Sequence, residues 1–370
     1  MIQSAHSKTP CFMTSRTFHS VQALRAIAAL LVVLFHLQIV EQKYSATSPV
    51  IPALMRFANS GVDLFFVLSG FVMTTIAVGS YGNPRNAGRF LARRGWRVLP
   101  LYWFYTSIVV VLMLVAPGMA NSSYHDQSIV ASYLLWPQPQ LPLLTVGWTL
   151  IHEMFFYLVM AAMIAFARES RLPWLLLGWA VITLSAHHLL GAAAAPWQRI
   201  ASSPLTLEFI AGALVGLYWN RLPARLALPV AGIGATGFVG TMLALAYVDA
   251  QTPSASVHAL GFGLPAALLT LGLARWERAA TPSLPRPLLL IGDSSYSLYL
   301  SHVFVISAMG RLWQKSGLNT STWQSCLFVL LAVLACIAAA LVSWRMLERP
   351  LQHASFLSRG KRQESSPIPG

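Results

Sequence analysis

The sequence predicts an all-α fold, a polytopic transmembrane helix bundle of about ten spans with both termini cytoplasmic. Three observations predict it. Hydrophobic residues make up 56% of the 370 and charged residues only 10%, whereas a soluble domain is roughly a quarter charged. Apolar runs of about 20 residues, the length that crosses a bilayer, recur along the chain. Lys and Arg gather in alternate gaps between those runs. So few charges could not coat a water-soluble globule, which excludes a soluble enzyme, a disordered chain and a disulfide scaffold.

The spans follow in order, with edges uncertain by several residues. The first 20 residues are polar, with Lys8, Pro10 and Arg16. They form no compact signal peptide, so the first run, about 21–40, stays as an anchor. The second run is about 60–78, and the basic stretch from Arg85 to Arg97 separates it from the third, about 98–116. A longer loop, about 117–146, holds Tyr124, Trp136 and several prolines, and either shapes an acceptor site or caps the bundle. The fourth run is 147–167; Arg168 and Arg171 precede the fifth, 173–190. Arg199 precedes the sixth, 203–219, and Arg221 and Arg225 precede the seventh, 227–247. The eighth is 258–274. Arg275, Arg278 and Arg286 lead to the ninth, 289–310; Arg311 and Lys315 lead to the tenth, 322–344. Each run must be helical, because backbone groups in lipid have no water to bond.

Orientation comes from the cations. With the N-terminus inside, 20 of the 25 Lys and Arg fall on the cytoplasmic side, leaving Lys43, Arg56, Arg199, Arg311 and Lys315 outside. That asymmetry sets the topology and accounts for the net charge of +14 without nucleic acid. The chain divides into a cytoplasmic segment 1–17, a transmembrane domain 18–350 and a basic cytoplasmic tail 351–370. Cys11, Cys326 and Cys336 have no metal or disulfide spacing and read as inert thiols. No metal site is visible.

Ionisable groups at membrane depth cost roughly 2.5–3.5 kcal/mol each on insertion scales, so each needs a reason. Arg25 and His36 are eleven residues apart in RAIAALLVVLFH. On a helix they share one face, about 16 Å apart along the axis. Arg25 sits at the cytoplasmic mouth and His36 past the midplane. Asp63 lies near the outer end of the second span. Glu153, with Tyr157 one turn on, lies about two turns into the fourth, and Glu208 lies in the second turn of the sixth. A histidine near carboxylates suits general-base chemistry; plain interhelical hydrogen bonding is the structural alternative, held equally for Asp63 and Glu208. Arg93, Arg94 and Arg97 have helical spacing that would aim them at phosphates, beside the plain topological reading of inside arginines. Ser295, Tyr299 and His302 share a face of the ninth span, either as a site or as a polar seam. Asp293 reads as a helix N-terminal charge. His187 and His188 read as interfacial, and His152 points away from Glu153.

Together these pieces resemble the membrane acyltransferase family 3, over about 18–350: Arg25 and His36 as R-x(10)-H, GVDLFFVLSGF, RRxxRxxP with Arg93, Arg94, Arg97 and Pro100, GWTLxxExxFY with Glu153 and Tyr157, SYSLYLxH with His302, and the closing LERP. The resemblance implies an acyl-CoA donor, usually acetyl-CoA, reaching the protein from the cytoplasm. It implies a carbohydrate hydroxyl as acceptor, lipid-linked or part of a surface polysaccharide, and a bacterial cytoplasmic (inner) membrane location. Arg25, Arg93, Arg94 and Arg97 would handle the donor. His36 would be catalytic, with Glu153, Asp63 and His302 as further catalytic candidates. Some members carry an extracytoplasmic hydrolase-like domain, which the chain is expected to lack. His36 would either deprotonate the acceptor or itself be acylated. A transporter of a glycan or acylated small molecule is the competing class, since ionisable groups at the midplane also mark transport sites. Against it stand the absence of repeated halves and an arginine cluster with no role in it.

Overall fold

The computed structural model describes residues 18–115, 127–191, 194–251 and 253–354. The N-terminal segment 1–17, Tyr124 and the tail beyond Ala354 lie outside the described residues. Among those described, the regular structure is helical and contains no strand. The long helices are α1 (His19–Tyr44), α2 (Gly61–Ala77), α3 (Pro84–Val115), α4 (Trp148–Phe166), α5 (Leu172–Leu190), α6 (Thr206–Tyr218), α7 (Ala227–Tyr247), α8 (Leu264–Ala280), α9 (Ser295–Ser316) and α10 (Thr322–Ser343). Among the described residues, nine stretches, formed by these helices and their short extensions, are long and apolar enough to cross a membrane. A tenth forms when Arg286–Asp293 and α9 are taken as one span bent by 76°.

Two elements differ from the sequence reading in ways that shape the site. Residues 84–97 are the first turns of α3 rather than a loop, and Pro100 lies inside the helix. At 32 residues the helix is about 48 Å long, well beyond the roughly 30 Å hydrocarbon core. Its basic turns can therefore stay helical outside the apolar slab. The ninth span breaks at Ser294, so Asp293 ends the first segment instead of opening the second.

α1 packs against α2, α8, α9, α10 and the segment 286–293. Small residues set the closest approaches, as helix contacts in lipid favour. A side chain at Gly292 would run into the Gln22 carbonyl, so glycine there lets the broken span press on α1 three residues before Arg25. α2 and α6 touch through backbone: Gly70 sits against the Phe209 carbonyl and Gly212 against that of Val67. The N-terminus of α1 is capped by α8, whose Glu277 carboxylate accepts the His19 and Ser20 N–H groups, both at 2.8 Å. The start of α3 docks on the C-terminal segment through Trp96 Nε1 and the Leu351 carbonyl (2.8 Å). The described part of the 117–146 loop is tied to α3, with Tyr102 donating to the Ser132 carbonyl (2.8 Å) while Trp136 stays exposed.

Candidate active site

A cavity of about 120 Å³ opens where α1, α2, α3, α4 and α9 converge. Each helix contributes by its periodicity. α1 supplies Arg25, and α3 supplies Arg94 and Arg97, three apart and so on one face. α2 turns Val62, Phe65, Phe66 and Ser69 inward, and α4 turns Thr149, Glu153 and Tyr157, spaced by one turn each. α9 brings Ser295, Tyr296 and Tyr299. The Glu153 carboxylate accepts from Ser69 Oγ at 2.9 Å and from the Tyr157 hydroxyl. Tyr296 donates to the Val98 carbonyl at 2.8 Å, locking α9 to α3 beside Arg97. Arg25, Arg94 and Arg97 make no ion pair within 4.0 Å among the described residues. Three guanidiniums and one carboxylate leave the lining with two net positive charges. Glu348, at the end of the tenth span, acts on Arg25 and Arg97 from behind, its carboxylate held by Ser297 Oγ at 2.6 Å.

A second cavity, of about 300 Å³, flanks the first. Arg89, Arg93 and Arg94 line it with Ser80 and Asn86. The sequence spacing would aim Arg93 with Arg97; in the structure the helix divides them. Arg97 faces the first cavity, Arg93 the second, and Arg94 borders both.

His36 and His302 form a pair. His302 is fully buried and His36 half-buried. The His36 Nδ1 atom lies 2.9 Å from the Val32 carbonyl and 3.2 Å from His302 Nε2. His302 Nδ1 lies 3.0 Å from the Leu298 carbonyl. Carbonyls only accept, so both Nδ1 atoms carry hydrogen. The single His36 Nδ1 hydrogen is then shared between the Val32 carbonyl and His302 Nε2, and in this tautomer His36 Nε2 keeps a lone pair. The pair lies outside the cavity lining but adjoins it: the Tyr299 ring is 6.1 Å from that of His302.

The partner of His36 is thus a second imidazole, where the sequence reading expected a carboxylate. Asp63 lies apart from both groups. It sits on the α2 face that meets α6 and α8, with His258 Nδ1 3.0 Å from each of its oxygens and Glu208 beside it. His258 went unnoticed in the sequence because it stands at the edge of an apolar run. Ser69, Tyr296 and Glu348 were also missed as site neighbours. Ser69 and Glu348 sit within the quoted GVDLFFVLSGF and LERP segments, and Tyr296 beside Ser295. His152 is not among the lining residues; it packs on Trp148 and on Phe66, with Nδ1 against the Trp148 carbonyl.

A family described as an acyltransferase domain matches residues 18–344. The chain belongs to this acyltransferase-3 family. It is accordingly an acyltransferase and a multi-pass membrane protein. Among curated relatives, the acyltransferase-3 chain is 31% identical to the exopolysaccharide production protein ExoZ of Rhizobium meliloti (strain 1021), over 79% of this chain and 89% of that one. It is 24% identical to Nodulation protein 10 of Rhizobium leguminosarum bv. viciae, over 80% and 83% respectively. It is 24% identical to the peptidoglycan O-acetyltransferase OatA of Listeria monocytogenes serovar 1/2a, covering 92% of this chain but only 56% of that protein. No solved structure matches the chain.

Proposed function

We propose that the protein moves an acyl group, acetyl in the first instance, from cytoplasmic acyl-CoA to a hydroxyl of an extracytoplasmic or lipid-linked carbohydrate, in a bacterial cytoplasmic membrane. One observation carries the reading. Three guanidiniums with no ion pair among the described residues gather in a cavity that adjoins a histidine whose Nδ1 hydrogen is held and whose Nε2 keeps a lone pair. The names of ExoZ and OatA support a carbohydrate acceptor.

The arginines bind donor phosphates through charge-assisted bonds, with Arg93 and Arg89 extending the basic surface into the second cavity. The acyl arm passes Tyr299 toward His36. His36 Nε2 takes the hydroxyl proton while the oxygen attacks the thioester carbonyl. The new C–O bond forms, the C–S bond breaks, and the proton passes from His36 to the departing thiolate. If His36 is acylated instead, Nε2 is the nucleophile and the acceptor attacks in a second step. Glu153, held by Ser69 and Tyr157, faces the donor or the sugar. His302 holds the tautomer, and Asp63 serves the neighbouring helix contact.

The test is proton NMR of surface polysaccharide from cells lacking the gene, complemented with wild type or His36→Ala. Removing a general base typically costs about 10²–10⁴ in rate. Ester signals restored by wild type and not by the variant are expected. Equal restoration would remove His36 from the chemistry; no ester in any strain would remove the polysaccharide acceptor.

A further inference from the structure

The break in the ninth span puts a helix start into the arginine cavity. α9 is 22 residues long and begins at Ser295, where the chain turns by 76° from the preceding segment. The first turn of a helix carries partial positive charge and favours anions. Here that turn lies among guanidiniums: Ser295 and Tyr296 line the same cavity as Arg25, Arg94 and Arg97. Ser295 is 0% exposed, and its hydroxyl has no hydrogen-bond partner among the described residues. Burying a hydroxyl unbonded costs about 1–3 kcal/mol, so its place in the lining asks for a ligand that accepts a hydrogen bond. The neighbouring hydroxyls are differently disposed. Ser294 Oγ bonds back to the Leu290 carbonyl (2.9 Å), and Ser297 gives both its N–H (3.2 Å) and its hydroxyl (2.6 Å) to Glu348. Ser295 is the hydroxyl of this turn that lines the cavity and keeps a spare donor.

The charges narrow the ligand. Glu348 behind Arg25 and Arg97 offsets part of the lining's positive charge, and the excess that remains suits an anionic group such as a phosphate ester chain. The cavity's other walls are aromatic and aliphatic, from Phe65, Phe66 and Val72 to Tyr299. A ligand that is anionic at one end and an apolar or amide-bearing arm beyond fits both. We infer that Ser295 and the first turn of α9 form, with Arg25, Arg94 and Arg97, a binding site for the phosphoryl groups at the pantetheine end of the donor, Ser295 Oγ donating to a phosphate oxygen. This rests on the acyl-CoA reading. It makes the broken span a fixed part of the donor site, and Ser295 a positioning residue for the arm.

The test is binding and single-turnover acylation by purified protein in detergent, with three probes: acetyl-CoA, its 3′-dephospho form, and S-acetylpantetheine, which has no phosphate. Ser295→Ala, Ser295→Thr and Arg94→Gln are compared with wild type, with thermal stability recorded for each. Loss of a hydrogen bond to a charged oxygen is expected to weaken both phosphate-bearing donors about tenfold or more. S-acetylpantetheine should be unaffected, and Ser295→Thr should restore most of the loss. Equal weakening of all three probes by Ser295→Ala would mean a packing role and overturn the inference. If Arg94→Gln weakens acetyl-CoA and Ser295→Ala does not, the inference falls and the acyl-CoA reading stands. If neither variant distinguishes acetyl-CoA from S-acetylpantetheine, both fall.

Discussion

His36 owes the lone pair on Nε2 to one backbone carbonyl and a neighbouring imidazole. The Val32 carbonyl lies one helical turn back and is present whatever the partner. His302 adds the second acceptor and fixes the ring's direction. Such support acts through orientation, so its loss should lower turnover and leave donor affinity in place. His302→Ala is expected to reduce kcat by about 10–100-fold, the scale seen when a supporting partner is removed, with KM for the donor nearly constant. His302→Gln offers an amide oxygen at a similar distance and should recover part of the loss. Steady-state kinetics in detergent read the split, and a rise in KM at constant kcat would place His302 in donor binding instead. The Arg25–His36 spacing was legible in the sequence because eleven residues bring a helix back to the same face. The His36–His302 contact was not, because it depends on how α1 and α9 lie against each other across 266 residues of chain.

At the scale of elements, α2 and α6 are joined by backbone contact rather than side-chain interdigitation. Gly212 faces the Val67 carbonyl so closely that any side chain must push the helices apart. Gly212→Leu should lower stability by about 1–3 kcal/mol or more, as overpacked cores do. Gly232 on α7 has open space around its Cα, so Gly232→Leu should cost little. Thermal unfolding in detergent compares the two, and similar losses would show that helix propensity rather than contact decides. Apolar runs marked the spans well because lipid permits little else. They failed at α3 and at the ninth span for one reason: hydropathy reports where a segment is apolar, not where its helix begins or breaks. Arg89 to Arg97 are helical while lying outside any apolar run. Ser294 and Ser295 break a span whose flanks are both apolar.

For the molecule as a whole, we propose from the cation count that both termini lie inside. That predicts a cytoplasmic 222–226 turn and an outer 317–321 turn. Single cysteines at Arg225 and Leu318, in a background lacking the native three, can be probed in intact cells with an impermeant thiol reagent. Leu318→Cys should react and Arg225→Cys should not; the reverse would invert the bundle, and the donor site with it. The arginine ring has one more consequence at this scale. A protein that hands a group across a bilayer risks becoming a leak. The cavity here is lined by three guanidiniums and one carboxylate, and fixed positive charge repels protons and alkali cations. On the proposed donor reading, the field that would draw in a phosphate would also guard the electrochemical gradient of the membrane in which the enzyme sits.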